Sequence, residues 1–172
     1  MRKSFTLVEL LITSAIIMIM LGITIAYSQK GEGINKVNRS VERIAFDIRS
    51  VANSSMQTKQ TSDKKICGWG IFFDESFNDR YIIFSDFCEG TTVQGDRVYS
   101  EDEKQEEIKL SNGVLFKEVD ISSIVYLPPE PRVEIYDKFG NRVNEGNISV
   151  TTDTGSFVKT LTINQAGTIS TK

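Results

Sequence analysis

The chain has 172 residues, with 20 basic and 23 acidic side chains, three prolines, 12 glycines, two cysteines and no histidine. A formal charge of −3 opposes sequence-independent nucleic-acid binding, which needs clustered Lys and Arg against phosphate. Without histidine, Ser-His-Asp and Cys-His catalysis and Cys/His zinc sites are excluded. The length suits one domain plus an appendage, and ten Phe, five Tyr and one Trp can build a small core.

From Phe5 to Tyr27 the chain reads FTLVELLITSAIIMIMLGITIAY, and its only charge is Glu9. As a helix this segment is about 35 Å long, enough to cross a hydrocarbon core of about 30 Å. Arg2 and Lys3 precede it and no similar basic cluster follows, so the positive-inside bias places the N-terminus in the cytoplasm and the rest outside. A cleaved secretory signal ending near Ala26 and Ser28 is the competing arrangement, but the apolar stretch is long for one and contains Glu9. A carboxylate within a span costs about 2.5–3.5 kcal/mol, so Glu9 needs a partner or a proton. A cut between Ser4 and Phe5 would create an α-amine at Phe5, one helical turn away, able to neutralise Glu9 on the same chain or on a neighbour.

Phe5-Thr6-Leu7-Val8-Glu9-Leu10-Leu11-Ile12, after the basic leader Met1-Arg2-Lys3-Ser4, resembles the class III signal of type IV pilins and type II secretion pseudopilins. The resemblance implies that prepilin peptidase removes residues 1–4 on the cytoplasmic side and methylates Phe5. It further implies that Glu9 guides docking by pairing with the preceding subunit's amine. That family normally has Gly before the cut, where this chain has the small residue Ser4. The implied partners are other pilin or pseudopilin subunits, the peptidase and an inner-membrane assembly platform. The implied location is the bacterial cytoplasmic membrane, then a cell-surface or periplasmic filament. The bland alternative is a signal anchor holding an unrelated β-rich ligand-binding domain.

Beyond the span, Gly31-Glu32-Gly33 joins two poor helix formers and predicts a bend or local melting. Ile34, Val37, Val41, Ile44, Ala45, Ile48, Val51, Ala52 and Met56 then recur every three or four residues. Asn35, Lys36, Arg39, Glu42, Arg43, Asp47 and Arg49 fall on the other face. The expected organisation is a leader at 1–4, a transmembrane half-helix at 5–27, an amphipathic half at 28–58 and a β-rich extracytoplasmic domain at 59–172.

Within that domain, Ile66–Asp74 and Arg80–Phe87 read as a hairpin around Glu75-Ser76-Phe77-Asn78-Asp79. Centred between Phe77 and Asn78, the hairpin sets Cys67 opposite Cys88 and predicts a cross-strand disulfide in an oxidising compartment. Further strands are expected at 113–119, 122–127, 132–136, 147–152, 156–164 and 168–170. Turns are expected at 111–113, 127–131, 139–141, 145–147 and 166–167. The fold class is α+β: a long N-terminal helix packed on an antiparallel sheet or small β-sandwich, which is the pilin outline.

Val125-Tyr126-Leu127-Pro128-Pro129 and the closing pair 161–164 and 167–169 resemble minor pseudopilins of the H type. Some relatives in that group bind DNA through a basic tail. The stretch 165–172 has one Lys and no Arg, too little positive charge to carry that property over. The acidic run Glu101–Glu107 lacks the alternation and glycine turn of a calcium loop and reads as a solvated loop. Trp69, Phe72, Phe73, Tyr81, Phe84 and Phe87 read as core aromatics more than as a ligand platform. Asp74, Glu75, Asp79 and Asp86 have no spacing that selects paired-carboxylate catalysis. The expectation is therefore a minor pilin or pseudopilin with no catalytic residue, cofactor or metal; a DNA-uptake minor pilin is the further alternative.

Overall fold

The computed structural model describes residues 6–56, 65–88, 95–128 and 132–172. The leader, Ser4, Phe5, the expected helix end at 57–58 and the turn at 129–131 lie outside the described residues. Among the described residues one α-helix, α1 (Leu7–Met56), is followed by ten strands, giving an α+β fold. At about 1.5 Å per residue its 50 residues extend roughly 75 Å.

The helix does not melt at its two glycines: residues 31–33 are helical. Glu32 bridges to Lys36 one turn later at 2.8 Å, a pairing that supports the helix across the weak point. Gly33 also lies where a Cβ would come within 3.3 Å of the Thr152 methyl, so its bareness lets the helix approach the sheet.

The strands are β1 (Ile66–Phe72), β2 (Arg80–Phe87), β3 (Lys104–Lys109), β4 (Val114–Val119), β5 (Ile121–Leu127), β6 (Arg132–Asp137), β7 (Arg142–Val143), β8 (Glu145–Thr152), β9 (Val158–Asn164) and β10 (Ile169–Thr171). They form a six-stranded sheet, β3-β2-β1-β5-β6-β7, and a four-stranded sheet, β10-β9-β8-β4. All the pairings are antiparallel. The chain passes to the second sheet for β4, returns for β5 to β7, and leaves again for β8 to β10.

The helix packs on strands of both sheets. Its stripe supplies Val37, Val41, Ile44, Ala45, Ile48 and Val51 to a shared core with Ile71, Ile124, Ile148 and Leu161. The ends of the predicted stripe, Ile34 and Met56, stay exposed.

Three sequence expectations are corrected here. Asp47, placed on the wet face, is buried: the Tyr81 hydroxyl donates to its Oδ2 at 2.5 Å and Arg43 Nε at 3.2 Å. The stretch 145–147, read as a turn, opens β8, because Gly146 crosses where a Cβ would press on the Ile121 side chain at 2.5 Å. The run 101–107 is not a loop; a 3-10 turn at Glu101–Glu103 leads into β3, and Glu103 is buried.

Burial and the bond to Asp47 hold the Tyr81 phenol well above its usual range, so it stays a donor at any ordinary pH. Tyr81→Phe leaves a buried carboxylate with one donor fewer. It should lower stability by about 1.5–3 kcal/mol, read by urea denaturation.

Candidate assembly site

The stretch Leu7–Thr24 has a mean hydropathy of 2.3, and none of it is buried by the rest of the chain. Leu7 is 80% exposed and Met18 73%. So many bare aliphatic side chains are compatible with lipid or with sister helices, and not with water. Hydroxyls within the stretch are satisfied locally: Thr13 donates to the Leu10 carbonyl, Ser14 to Leu11 and Thr24 to Met20. That internal pairing is what a non-aqueous setting demands.

Glu9 is held by the first turn of its own helix. The Thr6 amide and hydroxyl donate to Glu9 Oε2 at 3.0 and 2.9 Å, while the Glu9 amide donates to Thr6 Oγ1 at 3.3 Å. This is a reciprocal capping box, with Thr6 ahead of the helix and Glu9 three residues later. The T-x-x-E spacing is the signature of this box in the sequence. Both side-chain contacts use Oε2, and a carboxylate offers about four acceptor sites, so the cap leaves capacity for a second donor. Glu9 also sits at the positive end of the helix dipole.

Cys67 and Cys88 form a disulfide with Cα atoms 5.0 Å apart. The hairpin register differs from the expected one. Trp69 pairs with Ser85 and Phe72 with Ile82, which centres the hairpin on Phe77, and a bulge between Ile66 and Gly68 displaces Cys67. The extra residue in β1 brings the two cysteines together although they are not a register pair. The Cys88 amide donates to the Lys65 carbonyl at 3.0 Å, and Cys88 bridges to Gly95.

The other residues singled out have separate duties. Phe73 and Tyr81 pack with Phe116, whereas Phe72 and Phe84 pack against Tyr99. Asp79 pairs with Arg80, Glu75 with Lys138, and Asp74 accepts from the Ser76 amide.

A helix whose first half suits lipid and whose second half is core to a two-sheet domain defines a membrane-anchored α+β protein with a single apolar span among the described residues. Residues 1–25 match the family model for the prokaryotic N-terminal methylation motif. The motif supports a type IV pilin- or pseudopilin-like subunit of structural class, and implies prepilin peptidase processing and assembly with other pilins. No curated protein and no solved structure matches the chain.

Proposed function

We propose that the chain is a minor pilin or pseudopilin, a non-catalytic subunit cut between Ser4 and Phe5, methylated at Phe5 and assembled through α1 into a type IV pilus or type II secretion pseudopilus. The observation that carries this reading is the unbroken helix from Leu7 to Met56, bare over Leu7–Thr24 and buried along one stripe from Val37 to Val51. Such a helix couples the domain rigidly to the membrane segment. When sister helices replace lipid around Leu7–Thr24, the domain travels with it. In a single subunit, Glu9 is tied to Thr6; in a filament, the methylated amine of a neighbour supplies the opposite charge and sets the axial register. Residues 59–172 form the extracytoplasmic part. Placement as a minor subunit rests on the likeness to the H-type pseudopilins.

Glu9→Ala tests the proposal against a plain anchor. The variant should be processed to Phe5 and inserted normally, yet its share of sheared filaments should fall by more than tenfold. Thr6→Ala removes the hydroxyl's two bonds from the cap and keeps the carboxylate, so it should still assemble. Normal incorporation of Glu9→Ala, or a wild-type mass that retains Met1, would sink the proposal. Equal defects in both variants would mean that Glu9 only caps its own helix.

A further inference from the structure

The segment from Gly95 to Glu103 lies against the end of β2 and brings three carboxylates together. Asp86 lies on β2 and is fully buried; Asp96 is exposed, and Glu103 is buried. One oxygen from each lies within 4.8 Å of the other two. Glu103 is fixed by the Phe87 amide at 2.8 Å and the Ser100 amide at 3.1 Å, and Asp96 by the Val98 amide at 2.9 Å. Among the described residues Asp86 Oδ1 accepts a long bond from the Arg97 amide, at 3.4 Å, and Asp86 Oδ2 is buried with no hydrogen-bond partner. The nearby Arg97 guanidinium is turned to Glu134, at 3.0 Å, which also takes Arg142 at 3.0 Å and the Tyr136 hydroxyl at 2.8 Å. Arg97 Nε meets Glu134 as an ion pair without hydrogen-bond geometry.

Buried carboxylates are paired, protonated or bound to a cation. Here a buried carboxylate with an unpartnered oxygen lies beside two further carboxylates, one of them open to solvent. We propose that Asp86, Asp96 and Glu103 hold a hard divalent cation of calcium's size, which pins the segment 95–103 onto β2. The donors are all oxygen, with no sulfur or imidazole among them, and so select calcium or magnesium over zinc or copper. Three protein carboxylates in one cage suit calcium, which takes about six to eight oxygens in flexible geometry, better than magnesium, which keeps several waters and usually takes one or two carboxylates. Asp96 is exposed and provides the entry side. The proposal departs from the sequence expectation of no metal. It does not rest on the filament reading.

The test uses the full chain in detergent, stripped with chelator and titrated with CaCl2 by calorimetry and by thermal unfolding. Saturating calcium should raise Tm by several degrees, because the ion binds only the folded site. Asp96→Asn, at an exposed position, should keep the metal-free Tm and bind calcium at least tenfold more weakly. Asp86→Asn should raise the metal-free Tm and abolish the calcium response. Absence of binding heat and of a Tm shift in the wild type would overturn the proposal, leaving a protonated Asp86 as the account of the cluster. So would an undiminished shift in either variant, or an equal shift with MgCl2.

Discussion

Ile44→Ala should cost the domain about 3–4 kcal/mol, while Phe46→Ala, two residues further along the same helix, should change its stability by less than about 0.5 kcal/mol. The contrast reverses what side-chain size alone would suggest. Ile44 is completely buried between α1 and the sheets, so truncation removes its transfer free energy and leaves a hole in a close-packed interior. Phe46 is 65% exposed, and its removal creates no cavity. The same contrast bears on the helix. An isolated amphipathic segment of this length is marginal in water, and the second half of α1 stays helical because its stripe is buried against strands. Urea unfolding of the full chain in detergent measures both variants. Protease protection of the membrane segment should be identical in the two, since Leu7–Thr24 takes no support from the domain. Equal stabilities for the two variants would mean that the helix does not pack as described.

The stripe was legible because a period near 3.6 states which side chains share a face, and six of its predicted members are core residues. The same rule misassigned Asp47. Periodicity sees residue type and not partners, and a carboxylate at the edge of a stripe is buried only if something donates to it. The donor, Tyr81, lies 34 residues away. The strand β3 was hidden for a related reason. It is an edge strand in which only Ile108 is well buried, so it shows no apolar alternation. Charge is usual on such an edge, where it discourages pairing with other chains. Its acidic side chains are used laterally, Glu107 taking Arg80 and Lys104, each at 2.7 Å. Gly146 read as a turn because glycine marks turns more often than close crossings, and the Ile121 that excludes a side chain there lies in another strand. At the N-terminus, the methylation motif was fully legible, since it is a local pattern of contiguous residues. The Asp86 cluster was not. It joins a strand residue, a loop residue and a residue of the 3-10 turn that only the fold brings together.

Replacing both cysteines with Ala should remove about 3 kcal/mol, since the bridge closes a loop with a sequence separation of 21 and chain-entropy arguments assign that much to such a closure. Tm of the domain should fall by roughly 10 °C. Reduction of the wild type should reproduce the variant, because in both cases the constraint lost is on the unfolded chain. The denaturant m-value should rise as that chain expands. A variant as stable as the wild type would show that the bridge constrains nothing the hairpin does not already hold. The double substitution is the cleaner choice, as a single one leaves a reactive thiol. The position of the bridge gives a second readout. Cys88 ends the β2 pairing, meets Gly95 and donates to Lys65, so the bridge anchors the point at which the chain leaves the sheet for the segment carrying Asp96 and Glu103. With that point loosened, the three carboxylates lose part of their preorganisation. The calcium-induced rise in Tm should then be smaller in the cysteine-free variant than in the wild type at equal calcium. An undiminished rise would show that β2 and the Glu103 cap hold the corner without the disulfide.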